Sequence, residues 1–256
     1  MMNTLRFMTW NVHGPLHLNP TFDLDAVCAV IEKWSPDVVA LQEVDSRGQR
    51  TDPFKRLAEA VGEHRAEARS IVTRDGAYGQ MLVSRWPFVE LPKIVDVSYQ
   101  EREQRRAIVA KIGAPFGEVK VVATHLGLSL HERHAQARAV ADLIDSPRTV
   151  VMGDFNDWLW VKSVRRVLAR HCPVRTGHRT FPSVCPILRL DRIYATPDCG
   201  IVRSWTDSKA RGYSDHLPLL SEVKFCPVSI SDRGVGRDVG EHPSPKELVF
   251  DRTEDS

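Results

Sequence analysis

Five short polar clusters in this 256-residue chain each stand where an apolar run ends. They are Thr9-Trp10-Asn11-Val12-His13-Gly14, Leu41-Gln42-Glu43-Val44, Thr124-His125-Leu126, Gly153-Asp154-Phe155-Asn156-Asp157 and Ser214-Asp215-His216-Leu217-Pro218-Leu219. Together they offer carboxylates, amides and imidazoles. Hydrolysis of a phosphoester needs an attacking water, stabilisation of charge on the phosphoryl group and help for the leaving oxygen. Glu43 closes the run Val38 to Gln42, and a carboxylate at a strand end reaches a metal held above the sheet. Hard cations such as magnesium take oxygen ligands and keep several waters, so one or two carboxylates suffice. Taken alone, such a glutamate is simply solvated. Asn11 can orient a carboxylate, a water or a phosphate oxygen; in isolation it reads as a turn residue before Gly14 and Pro15. His13 is a candidate substrate or metal contact, against the commoner role of a surface histidine.

The cluster around Asp154 is sharper. Gly153 is expected to let the backbone turn at the end of the strand Thr149 to Met152. Asp154 and Asn156 are two apart and point the same way if the backbone stays extended. The carboxylate then aligns or deprotonates water, and the amide donates to a phosphoryl oxygen. An Asx turn is the competing reading. In Asp215-His216, Asp215 is a candidate metal ligand, while distant Asp191 orients His216 for proton transfer. His125 is a candidate for bonding a phosphate oxygen as a cation, and Arg105 or Arg106 for binding phosphate through two N–H groups. His131, Glu132, Arg133, His134 and Arg138 read as one charged, solvated helix face.

The elements that must position these groups follow from periodicity. Strands are expected at Leu5 to Trp10, Asp37 to Gln42, Gln80 to Ser84, Ile108 to Ile112, Glu118 to Thr124 and Thr149 to Met152. Leu190 to Tyr194, Ile201 to Trp205 and Leu219 to Phe225 complete the set. Helices are expected at Leu24 to Trp34, Pro53 to Val61, His131 to Ile144 and Val161 to Ala169. Gly113 to Gly117 is a turn joining two antiparallel strands. A mixed sheet system covered by helices is the economical α/β fold.

The bulk properties leave room for a large core, with 42% hydrophobic and 27% charged residues. The formal net charge of +2 argues against a protein that grips long nucleic acid by counterion release. Five scattered cysteines without a Cys-x-x-Cys pair argue against a zinc knuckle or a thioredoxin-type site and point to free thiols in a reducing compartment. No signal-type segment and no apolar run of spanning length are seen, so a cytoplasmic monomer without a membrane span is expected. Residues 227–256 are rich in charged, Gly, Ser and Pro residues and read as a tail beyond a catalytic domain of residues 1–226, with Leu248-Val249-Phe250 as a candidate docking segment.

In this order the clusters resemble the endonuclease/exonuclease/phosphatase family, which includes pancreatic deoxyribonuclease, abasic-site endonucleases, sphingomyelinases and inositol phosphatases. The likeness rests on Thr9-Trp10-Asn11, Leu41-Gln42-Glu43, Thr124-His125-Leu126, Gly153-Asp154-Phe155-Asn156, Leu190-Asp191 and Ser214-Asp215-His216, and spans residues 4–225. It implies a four-layer α/β/β/α sandwich of two facing mixed sheets with helices outside. It also implies magnesium- or manganese-dependent hydrolysis of a phosphodiester or phosphomonoester. By the same resemblance Glu43 is the main metal ligand, with Asn11 and Asp215 near it. Asp154 aligns or activates water, Asn156 and His125 bind transition-state oxygens, and His216 is oriented by Asp191. Arg105 or Arg106 and Asn11 fall near the phosphate. The motifs leave open whether Asp154 or His216 is the base and whether one metal acts or two. The alternatives are a DNA or RNA endonuclease and a catalytically silent phosphate- or lipid-binding module. Val44-Asp45 stands where abasic-site enzymes carry a lysine, and Gln80 where many members have asparagine. The segment Thr180 to Tyr194 suggests an apolar cleft wall suited to a phospholipid, or residues that pack beneath the site.

Overall fold

The computed structural model describes residues 3–12, 23–100, 102–158 and 163–226. His13, the first residues of the helix expected from Val161 and the whole of 227–256, including Leu248 to Phe250, lie outside the described residues.

Twelve strands and four α-helices are described. One sheet contains β1 (Thr4–Asn11), β2 (Val38–Asp45), β3 (His64–Thr73), β4 (Gly76–Ser84), β11 (Cys199–Thr206) and β12 (Leu219–Phe225), in the order β11-β12-β1-β2-β4-β3. The other contains β5 (Lys93–Asp96), β6 (Arg106–Ala114), β7 (Gly117–His125), β8 (Thr149–Asp154), β9 (Val174–Arg175) and β10 (Asp191–Ala195), in the order β5-β6-β7-β8-β10-β9. Each sheet is mixed: β1 pairs parallel with β2, and β7 with β8, among otherwise antiparallel neighbours. The helices are α1 (Leu24–Trp34), α2 (Pro53–Glu59), α3 (Leu130–Asp142) and α4 (Val164–Leu168).

Three apolar layers explain why the central strands read as unbroken hydrophobic runs. Strands buried on both faces need apolar side chains on both. In β1, Leu5 and Phe7 enter the core between the sheets, while Met8 and Trp10 face the layer shared with α1 and α2. In β8, Val150 and Met152 point between the sheets and Val151 toward the layer of α3 and α4. The result is the expected α/β/β/α sandwich of two facing mixed sheets.

Local chemistry sets the element ends. Asp23 caps α1 by accepting from Ala26 N at 3.0 Å, and Asp52 caps α2 through Phe54 N at 3.0 Å, with Pro53 in the first turn. The β6–β7 hairpin turns at Pro115-Phe116, with Ala114 paired to Gly117, as the turn signal indicated. β3 and β5 were not expected from periodicity. They are edge strands with largely exposed or half-buried, polar-rich sequences, so the apolar signal of a central strand is absent.

Candidate active site

The site continues the inward-facing rows of the inter-sheet core. Side chains alternate along a strand, so the row Leu5, Phe7 runs on to Thr9 and Asn11, and Val119, Val121, Ala123 runs on to His125. Val150 and Met152 lead to Asp154, while Ala195 and Ile193 lead back to Asp191 on the antiparallel β10. At one end of the sandwich the apolar filling gives way to amides, imidazoles and carboxylates.

Two details differ from the sequence expectations. Glu43 lies not at a strand end but in a β-bulge: Leu41 pairs with Met81 and Val44 with Gly79, leaving an extra residue on β2. Glu43 itself has φ 57°, a left-handed conformation rare for a residue with a side chain. Gly153 does not make a turn. It pairs with Thr124 inside the β7–β8 ladder, and a Cβ there would lie 1.9 Å from the Thr124 carbonyl oxygen. The glycine allows two backbones to approach so that His125 and Asp154 stand side by side.

Asp154 is the centre of the arrangement and is 1% exposed. Its Oδ2 accepts from Asn11 Nδ2 at 3.1 Å and lies 3.7 Å from His125 Nε2 and 3.8 Å from His216 Nε2. Its Oδ1 accepts from Asn156 N at 2.9 Å. This is the Asx turn of the competing reading: Asn156 is not extended but turns at φ 50°. Asn156 Nδ2 donates to Leu126 O at 2.9 Å, which fixes the amide. Asn11 Nδ2 also donates to Glu43 Oε1 at 2.8 Å, so one amide joins two carboxylates. The Asn11 carbonyl accepts from Ser214 Oγ at 2.7 Å, tying β1 to the loop that carries His216.

The two histidines are in opposite states. His216 Nδ1 lies 2.8 Å from Asp191 Oδ2, and its ring packs beside Phe181. Burial alone would lower this imidazole, but the charges of Asp191 and Asp154 and the Asp191 hydrogen bond outweigh it and push it up to about 10. His125 is pushed down to about 3, first by burial and then by the Arg105 charge. The expectation of a cationic His125 is corrected accordingly. Arg105 Nη1 lies 3.0 Å from His125 Nδ1. A guanidinium only donates, so Nδ1 accepts and the proton of the neutral ring is on Nε2. That N–H and the Asn156 amide nitrogen, 3.4 Å apart, are then two neighbouring donors. Burial first, and Asp191 next, push the Asp154 carboxyl up to about 6.

The two arginines separate. Arg105 is buried, joins His125 and pairs with Glu103 Oε2 at 2.8 Å. Arg106 donates to Arg69 O at 2.9 Å and to Gln104 Oε1 at 3.1 Å, so its guanidinium is engaged away from Asp154. Both line a small cleft with Tyr78, Gln80 and His125. Gln80 donates to the Arg106 carbonyl, while its buried Oε1 has no partner. Asp215 is exposed beside Ser214, outside the buried set.

Asp154, Asp191 and His216 have ligand atoms within 4.8 Å of one another. Within that trio Asp191 Oδ2 and His216 Nδ1 are already engaged with each other at 2.8 Å. Of the residues named as candidate cation ligands, Glu43 and Asn11 are in contact at 2.8 Å and offer a carboxylate and an amide oxygen, the donor types a hard divalent cation takes. Glu43 and Asp154 converge on one amide nitrogen, and a bound cation would relieve that concentration of negative charge.

On α3 the expected solvated face holds for His131 and Arg138 but not for Glu132 and Arg133. Arg133 is fully buried, donates to the Leu128 carbonyl and stacks 5.6 Å from the Trp158 ring. Glu132 is also buried, and Gln136 bonds both Glu132 Oε1 and Gly127 N. These groups hold the loop that follows His125; only their proximity to Thr124-His125-Leu126 in sequence hinted at it. In the Thr180 to Tyr194 segment, Val184 and Ile187 are 70% and 59% exposed, so they do not pack beneath the site.

Residues 8–216 match the model of the Endonuclease/Exonuclease/phosphatase family. YbhP of Escherichia coli (strain K12), described as uncharacterized, is 31% identical over 256 residues, covering 86% of this chain and 96% of that protein. A solved endonuclease/exonuclease/phosphatase from Beutenbergia cavernae DSM 12333 is 25% identical with a TM-score of 0.70, covering 88% of this chain and 72% of that one. TDP2 of D. rerio, solved with a single strand DNA product, shares the fold at 21% identity and a TM-score of 0.65, over 86% and 99% of the two chains.

Proposed function

The chain belongs to the endonuclease/exonuclease/phosphatase family, and from that membership we propose that it is a metal-dependent hydrolase of a phosphodiester or phosphomonoester. Family members are generally hydrolytic phosphoesterases, typically dependent on a divalent metal. The observation that carries the assignment to this chain is the convergence of Asn11, His125 and His216 on the single buried oxygen Oδ2 of Asp154.

In this reading Asp154 is the base. With its carboxyl near 6 it is ionised at neutral pH yet basic enough to take a proton from water. His216 is an imidazolium below about 10 and so cannot accept that proton; it donates to the phosphoryl or leaving oxygen, with Asp191 holding its Nδ1–H. Neutral His125, through Nε2–H, and the Asn156 amide stabilise the equatorial oxygens. Arg105 fixes the His125 tautomer, and Asn11 fixes Glu43 and Asp154 relative to each other. Glu43, with Asn11 and Asp215, would hold magnesium or manganese, which supplies Lewis-acid polarisation of a phosphoryl oxygen and a more acidic water.

A panel of bis(4-nitrophenyl) phosphate, 4-nitrophenyl phosphate, nicked and abasic DNA, and phospholipid vesicles tests the reading. Turnover of at least one ester that requires magnesium or manganese and stops in chelator is the expected result. Full activity in chelator contradicts the mechanism. No turnover of any ester favours the silent binding module. DNA cleavage alone, steeply weakened by salt, identifies the nuclease alternative.

A further inference from the structure

Beside the reacting cluster is a second, larger recess that the hydrolytic machinery does not use. This cavity of about 700 Å³ is lined by four arginines, Arg165, Arg175, Arg189 and Arg192, with Trp158 and Ile187 among its apolar walls. Asp191 and Arg192 are consecutive in β10 and so face opposite sides of the sheet. Asp191 turns to His216, while Arg192 turns to the cavity. Both stand at the start of the strand, next to the exposed Arg189 rim. The cavity thus lies around the strand end from Asp154, and Asp157, three residues beyond that carboxylate, belongs to its lining.

Three of these arginines, Arg175, Arg189 and Arg192, have main-chain carbonyls as their hydrogen-bond acceptors. Arg192 is 8% exposed; its Nη1 donates to the Thr176 carbonyl at 3.3 Å, and its Nε has no partner. Arg175 and Arg189 donate to the main-chain carbonyls of Pro173 and Gly177. Asp157 is the one carboxylate among the described lining residues. Its oxygens already accept from Ser163 Oγ at 2.7 Å and from Val164 N and Arg165 N at 3.2 Å each. A buried guanidinium is costly without an anion, and several forks around one recess match the oxygens of a phosphate group. We infer that this cavity is a phosphate-binding subsite, distinct from the reacting cluster and suited to a dianion. If the anion belongs to the substrate, the proposed hydrolase acts on molecules that carry a second phosphate; that extension rests on the hydrolytic reading above.

Calorimetric titration of the full chain with pyrophosphate in chelator tests the subsite without catalysis. The Arg175→Ala/Arg189→Ala double variant, altered at two exposed positions, is expected to bind at least about tenfold more weakly. Asp154→Ala is expected to bind pyrophosphate as the wild type does. Equal binding by wild type and the double variant, or no binding by the wild type, overturns the inference. A second arm compares thymidine 5′-(4-nitrophenyl phosphate) with its 3′-phosphorylated form. If the double substitution raises KM for the 3′-phosphorylated ester several-fold more than for the other, the anion is part of the substrate. If pyrophosphate binding is lost and the two KM values move together, the anion is a separate ligand and the subsite stands. Intact pyrophosphate binding with neither ester cleaved in magnesium or manganese would remove the hydrolytic reading and leave the subsite.

Discussion

At the scale of single residues, the proposed chemistry rests on two histidines that their neighbours push to opposite protonation states. Arg105 at His125 Nδ1 enforces a neutral ring, and Asp191 at His216 Nδ1 sustains a charged one. The predicted pH profile follows from the sign of each shift. Activity requires Asp154 ionised, so kcat/KM falls as pH drops below about 6; it requires His216 protonated, so the rate falls again above about 10. His125, pushed down to about 3, adds no limb between these. An acid limb that moves to higher pH when His216 is removed, because its charge no longer favours the Asp154 carboxylate, and that is lost in Asp154 variants is the expected pattern in a pH–rate series. His125→Ala removes one donor from the developing charge and should lower kcat about hundredfold with a smaller change in KM. These residue types were legible in the sequence, and so was the Asp191–His216 pairing as an expectation. The state of His125 was not, because it depends on a contact between residues 20 apart. Nor was the bulge that places Glu43 at φ 57°.

At the scale of elements, the site depends on how closely strands approach. Gly153 pairs with Thr124 where a methyl group would meet a carbonyl oxygen, so Gly153→Ala must push β7 from β8. With a positive φ of 148° in addition, the cost is about 2 kcal/mol or more. A drop in melting temperature of about 4–8 °C would be measured by calorimetry. A second element-scale prediction concerns Asp207, which accepts from Lys33 Nζ at 2.6 Å and Trp34 Nε1 at 2.8 Å and so ties the end of α1 to the segment after β11. Burial opposes ionisation there, but these bonds outweigh it and hold the carboxyl below its usual value of 3.8. Its stabilisation is therefore present above about pH 4 and lost as pH falls through the depressed value. Asp207→Asn should be destabilised at pH 7, with the difference from the wild type shrinking as pH falls through the depressed value in chemical denaturation. The buried central strands and α1 and α2 were readable because both faces of those strands are apolar and the caps are local. β3 and β5 were not, since edge strands carry a weak apolar pattern. The Glu132–Arg133 pair was misread because charged residues on a helix normally face water, and burial by a neighbouring loop leaves no mark in periodicity.

For the whole molecule, the two sheets form one framework whose shared core ends in the reacting groups. The last described strand closes it, with Phe225 N donating to Asn3 O at 2.7 Å and Cys226 N to Asp198 O at 3.0 Å. We propose that residues 1–226 fold and act without the remainder. A chain ending at Cys226 should keep its melting temperature within about 2 °C and its turnover within about twofold. The fold class was legible because β and helical patterns interleave along most of the chain. The surroundings of the site were not, because loops such as Thr180 to Leu190 meet other elements only in three dimensions. Among the described residues no helix is long and apolar enough to cross a membrane. The central claim is that Asp154 activates water in a divalent-metal phosphoesterase. The most direct measurement is hydrolysis of bis(4-nitrophenyl) phosphate by wild type and Asp154→Asn, each in magnesium, in manganese and in chelator. Metal-dependent turnover reduced about a thousandfold or more by the substitution, with folding unchanged, is predicted. Turnover by Asp154→Asn equal to that of the wild type would contradict the account.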